Sequence, residues 1–452
     1  MKCFLSFLCL SILLQNTTIA QTNPAITQWL INTQGLTGSH YVQGNSAPIS
    51  DNVAANVQQV QYSNNWVYVH TKGIPAYVTG PFLDGNPSLA SDQNAIFKFP
   101  LNPAQNTGTA TATNGGNIGV FINGVALFDY RDGVSWNNNT QAEGGGPIQG
   151  PPGQGIWNRD AIVAERAGFD CSKGHPAMGN YHHHQNPSAF DLDLVSISSV
   201  CNLYDADGLY VINANEHSPL IGFAYDGFPI YGAYGFLNSD GTGGITRMKS
   251  SYQLRAISVR THYADGTDVM DGPAISNSYP LGRYREDYEF VSHDNEPDYL
   301  DQHNGRFCVT PEYPNGTYAY FCTVDENWNS AYPYAVGPTF YGVKNAMKVP
   351  SVTETVTTYN PSVGIAQSKE VNLWNVRYDG SLDVVVLQYK GLLKENMGVN
   401  CWDSKGALLK SAQIGAGSTI LFVEASTMVN GQYFLEVGGG ADRFVLKVQI
   451  NR

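Results

Sequence analysis

Apolar residues in this chain alternate with polar ones over short runs, and stretches with a helical period are scarce. The runs are broken by 47 glycines and 23 prolines. Period-two runs of this length, ended by turn formers, can bury one face only as strands of a sheet. Aromatic residues supply 12% of the chain, 27 of them tyrosines, which also suits pleated surfaces. The sequence therefore predicts a mainly β protein. At 452 residues it exceeds a single ordinary core and should divide into two or more domains.

Met1-Lys2, the apolar run Phe4 to Leu14 and the small-residue ending Thr18-Ile19-Ala20 have the plan of a secretory signal peptide, residues 1–20. No later run is long and apolar enough to span a bilayer, so an exported protein at the cell surface or in the medium, without a membrane span, is expected. A net charge of −13 argues against nucleic acid and anionic membranes as partners. Residues 21–60 are polar and weakly patterned and read as an N-terminal segment. Strand patterning begins with Trp66 to His70, and residues 61–345 form the expected core domain. Residues 346–365, rich in Thr, Val, Ser and Pro, read as a linker. Residues 366–452 carry six or seven short alternating runs and no histidine, which predicts a small immunoglobulin-like β-sandwich.

Chemistry concentrates in Tyr181-His182-His183-His184. In an extended chain alternate side chains share a face, so His182 and His184 lie together while Tyr181 and His183 face the other way. Two imidazoles on one face can chelate one ion. His175, seven residues upstream, can fold back as a third ligand. Asp226, at the centre of the apolar stretch Leu220 to Tyr234, is the candidate fourth, unless its carboxylate only caps its own turn. Arg159 to Ala167 is the best short helix, and Asn123-Gly124 marks a type I′ hairpin. Cys171 with Cys201, and Cys308 with Cys322 across a hairpin centred on Asn315, are the expected disulfides, although other pairings satisfy the same count. No C-x-x-C pair offers a thiolate zinc site.

Several of these pieces, in order, resemble the YHYH-domain proteins. They are Gly174-His175, the 181–184 tract with Pro187, Tyr225 to Gly232, and Leu300 to Arg306 running into Thr310 to Tyr318. Here His183 stands where the family motif has its second Tyr. The resemblance implies an important histidine motif without fixing a reaction, and keeps Tyr181, His183 and His303 as groups supporting the ligands or as alternative ligands. Residues 366–452 resemble the C-terminal sorting domain of type IX secretion cargo, through Asp403 to Gly406, Gly431-Gln432-Tyr433 and the strand Phe444 to Ile450. That implies the type IX machinery as a partner. The expected function is a transition-metal protein with copper favoured over zinc. A metal-free hydrolase or lyase using His, Asp226 and Tyr181, and a surface module binding a small molecule, glycan or protein, are the alternatives.

Overall fold

Strands form where the alternation placed them, and two sheets close on each other because each has one strongly apolar face. The computed structural model describes residues 23–450 apart from 43–46, 83–87, 147, 149, 188–213, 328, 362–373, 391, 394–395, 404–406 and 440–441. The expected signal peptide and Cys201 lie outside the described residues. The chain divides into two compact units, Met1–Tyr359 and Asn360–Arg452. No helix among the described residues is long and apolar enough to cross a membrane.

The first unit is built on an eight-stranded sheet. Its order is Gly174–Ala177, Asn180–His183, Ala126–Phe128, Asn117–Phe121, Leu220–Ala224, Pro229–Tyr231, Thr317–Phe321 and Gly305–Cys308. Against it packs a five-stranded sheet ordered Met347–Val349, Ala95–Pro100, Trp66–Thr71, Val57–Tyr62 and Thr357–Tyr359. Val60, Val67, Val69, Phe97 and Phe99 of the smaller sheet share one core with Val120, Phe121, Phe223, Ile230 and Phe321 of the larger. Leu220–Ala224, central in its sheet, is buried at every residue, as a strand covered on both faces must be. The Asn123-Gly124 turn takes a positive φ only at Gly124, so it is not the type I′ turn expected.

Three expectations are corrected. The 21–60 segment is no lead-in: Ala25, Ile26 and Trp29 belong to the main core, and the Trp29 ring lies 5.3 Å from Phe223 and 5.7 Å from Phe99. The 346–365 stretch is not all linker, since Met347–Val349 and Thr357–Tyr359 are the two edge strands of the five-stranded sheet. Cys308 and Cys322 form no disulfide; both are buried free thiols. The hairpin register sets Cys308 opposite Thr317 and Phe307 opposite Tyr318, because its loop holds two successive turns, Tyr313 N to Thr310 O (3.1 Å) and Gly316 N to Tyr313 O (3.0 Å). Cys322 thus falls five residues beyond the partner of Cys308. After denaturation without reductant, alkylation and peptide mapping should find both thiols modified; a linked Cys308–Cys322 peptide would contradict this register.

The second unit has seven strands among its described residues, in sheets of three and four. One sheet runs Trp374–Asp379, Val384–Tyr389, Ile420–Glu424; the other runs Leu408–Ile414, Met397–Asp403, Gly431–Gly439, Asp442–Ile450. Trp374, Val385, Leu387, Val399, Leu435 and Val448 fill the space between, which makes a β-sandwich of the expected size.

Candidate functional site

The histidines meet because the tract is half of a tight hairpin. Gly174–Ala177 pairs antiparallel with Asn180–His183, and His175 stands directly opposite His182. Directly opposed residues project to the same face, and His184, two residues after His182, joins them. The connecting turn is only Met178 and Gly179, with φ of 49° and 86°. The His182 and His184 Nε2 atoms are 3.1 Å apart, and those of His175 and His184 are 3.3 Å apart. All three rings are more than nine-tenths buried. Phe128 of the adjacent strand stacks on His182 with centroids 3.8 Å apart, and Phe169 meets His175 edge-on at 4.8 Å.

Proton placement makes this cluster unusual. His182 Nδ1 lies 2.8 Å from the Asn180 carbonyl, and His184 Nδ1 lies 2.6 Å from the Asp129 carbonyl. A carbonyl can only accept, so both rings carry their proton on Nδ1 when neutral and present bare lone pairs at Nε2. Burial, followed by the neighbouring imidazole charges, drives His182 well below its ordinary value and takes His175 down to about 2. Burial alone outweighs the Asp129 carbonyl and carries His184 down to about 4. Two lone pairs therefore face each other at hydrogen-bond distance with no proton to place between them near neutral pH.

A carboxylate that sequence reasoning missed lies beside two of the three imidazoles. Glu165 Oε2 lies 3.3 Å from His175 Nε2 and 3.6 Å from His184 Nε2. It caps the C-terminus of the four-residue helix Ala161–Ala164, whose N-terminus is held by Asp160 Oδ1 accepting from Ile162 N at 2.8 Å. The sequence predicts a helix here, but nothing in its pattern singles out Glu165, because long-range packing aims it at the hairpin.

The other expected groups lie elsewhere. Asp226 sits in the turn after Leu220–Ala224, three strands from the tract, ~14 Å at the usual strand spacing. Its carboxylate accepts from Tyr320 Oη (2.5 Å), Gly342 N (2.8 Å) and Phe228 N (3.2 Å). His303 lies in the turn just before the opposite edge strand Gly305–Cys308, its Nδ1 2.6 Å from Thr339 Oγ1. Tyr181 and His183 occupy the reverse face, as the alternation requires. Tyr181 donates to Asp170 Oδ2 at 2.8 Å, and the Tyr77 hydroxyl lies 2.8 Å from His183 Nε2. Tyr77 and Asp170 also escaped sequence reasoning, being 106 and 11 residues from their partners. Cys171 is buried and is not among the free thiols.

No curated protein matches the chain. Among solved structures, the chain is similar to a DUF3244 family protein with an immunoglobulin-like β-sandwich fold from Bacteroides vulgatus. The identity is 15% and the TM-score 0.14, over 17% of this chain and 94% of that one. The family model described as YHYH protein matches residues 96–333, just over half the sequence, and includes the whole hairpin that carries His175, His182 and His184. On that match the chain belongs to the YHYH protein family.

Proposed function

We propose that this protein is an exported metalloprotein whose YHYH domain binds one transition-metal ion through the Nε2 atoms of His175, His182 and His184, with the Glu165 carboxylate as fourth ligand. The observation that carries the reading is the pair of bare Nε2 lone pairs 3.1 Å apart in a buried site. A cation removes that repulsion, whereas a shared proton would require a buried imidazolium. Four donors at ~2.0–2.1 Å from a tetrahedral ion stand about 3.3 Å from one another. The three imidazoles offer ligand atoms that all lie within 4.8 Å of one another, the His184 contacts at 3.1 and 3.3 Å being close to that value, and Glu165 approaches two of the three at 3.3 and 3.6 Å. The Nδ1 bonds to Asn180 and Asp129 supply the outer support that fixes a ligand's tautomer and ring angle.

Imidazole ligands suit copper and zinc alike; the His-x-His pair on one strand and the oxidising location of an exported protein favour copper. With Glu165 bound the site is closed, which suits holding an ion; with Glu165 swung away it leaves the open position that metal catalysis requires. A metal-free acid–base reading loses the carboxylate it relied on, since Asp226 is taken up by Tyr320, Gly342 and Phe228. The N-terminal apolar run and the C-terminal β-sandwich support delivery by the type IX machinery, with residues 366–452 as the address.

Metal analysis of natively purified protein tests the reading. About one equivalent of copper or zinc is expected per chain, falling to near zero in a His182→Ala/His184→Ala variant. Equal, near-zero content in both would overturn it.

A further inference from the structure

We infer that the first unit carries a second binding site, for a neutral oligosaccharide, at the sheet edge opposite the histidines. A cavity of about 990 Å³ opens there beside the edge strand Gly305–Cys308, at the upper end of the ~300–1,000 Å³ usual for small-ligand sites. Its wall is aromatic. The Tyr341 ring stacks parallel on Tyr318, 3.6 Å apart, and Phe228 meets both edge-on. Phe307 stands at the cavity 62% exposed. It is held there by the turn beneath it, since a Cβ on Gly316 would come within 2.8 Å of the Phe307 ring, and the Gly316 φ of +84° itself excludes most side chains. An aromatic ring seated on one side and open on the other gives no folding benefit from its free face, but it offers a flat apolar platform.

The polar lining narrows the ligand. Among the described lining residues the only charged side chain is Glu312, and no Lys, Arg or His is present. Phosphate, sulfate and uronate ligands would meet that carboxylate with no compensating cation. Glu312 Oε2 accepts from Tyr231 Oη at 2.8 Å, which holds the carboxylate in place and leaves its second oxygen for a hydroxyl. Asn102, Gln105 and Asn315 add side-chain amides, which both donate and accept. Aromatic platforms with amides and one fixed carboxylate match a ring that has apolar C–H faces and a girdle of hydroxyls. A purely apolar ligand would leave the amides and Glu312 unpaired.

The site is independent of the metal reading and is tested separately. Calorimetric titration of the full chain with cellohexaose, laminarihexaose, xylohexaose and chitohexaose should give saturable binding to at least one. Phe307→Ala and Glu312→Gln should each weaken it at least tenfold. Phe307 is exposed, so its loss leaves the fold intact, and a His182→Ala/His184→Ala variant should bind the sugar unchanged. Absence of saturable binding to all four at millimolar concentration would overturn the assignment, as would binding insensitive to both cavity variants. Because Asn23 and Pro24 line the cavity, a synthetic peptide of residues 1–22 is the competing occupant. Binding of that peptide and not of the sugars would equally overturn it.

Discussion

His184→Ala should lower copper or zinc affinity by at least about 100-fold, more than the loss of any other single residue in the tract. His184 is the hub of the cluster, with its Nε2 within 3.3 Å of both other imidazoles and its Nδ1 tied to the Asp129 carbonyl 55 residues away. Removing it deletes a proposed ligand and releases the hold of the Asp129 segment on the hairpin, and even the loss of a group that only supports a ligand costs ~10–100-fold in metal affinity. Glu165→Gln should give a smaller loss, because an amide oxygen can still approach the ion but carries no charge. His183→Ala should keep affinity within about tenfold, since that ring sits on the reverse face with Tyr77. Competition against a chromophoric chelator measures all three. Equal losses in His183→Ala and His184→Ala would show that the variants act through folding and not through ligation.

The separation of His182 and His184 from His183 was legible in the sequence, because the period of a strand is a local property that four consecutive residues suffice to express. His175 was legible as a candidate but not as a cross-strand partner. The hairpin that pairs it with His182 turns through Met178-Gly179, and Met is not a residue that announces a left-handed turn position. Glu165 was not legible at all. Its helix was, but its carboxylate meets His175 and His184 only through the tertiary approach of that helix to the hairpin, a contact with no local signature. The disulfide expectation for Cys308 and Cys322 failed for a related reason. A symmetric hairpin about Asn315 is the simplest register, yet the two successive turns from Thr310 to Gly316 shift the pairing. Composition misled at the N-terminus, where the Gln- and Asn-rich surroundings concealed Trp29, a residue wedged between Phe99 and Phe223. In the C-terminal unit, where the fold is nearly all period-two pattern, the number of strands was legible; Leu408–Ile414 gives the weakest signal, because its residues are largely exposed and carry little apolar contrast.

Asp226→Asn should leave metal content unchanged and yet destabilise the first unit, by an amount that depends on pH. The three groups that bond this carboxylate, Tyr320 Oη, Gly342 N and Phe228 N, all donate. An amide has one accepting end, so either orientation of the substituted side chain sets its NH₂ against a backbone N–H and costs about 1–3 kcal/mol. Burial outweighs those donors and pushes the Asp226 carboxyl up to about 6, against about 3.9 in an unfolded chain. The folded protein therefore binds this proton more readily than the unfolded one. The resulting stabilisation is complete below the unfolded value and is lost as pH rises through about 6. The amide has no such proton. Between pH 7.5 and pH 4.5 the unaltered protein should gain about 2 kcal/mol on the variant, and comparing the two at each pH cancels the opposing titration of the buried histidines, which both share. Denaturant midpoints at the two pH values, with metal analysis alongside, measure it. A gap that narrows on acidification would mean that the three donors, not burial, govern this carboxylate and that it stays ionised in the folded core. Loss of the metal together with stability would bring Asp226 back toward the histidine site, across the two strands of sheet that otherwise separate a turn-locking carboxylate from the proposed ligands.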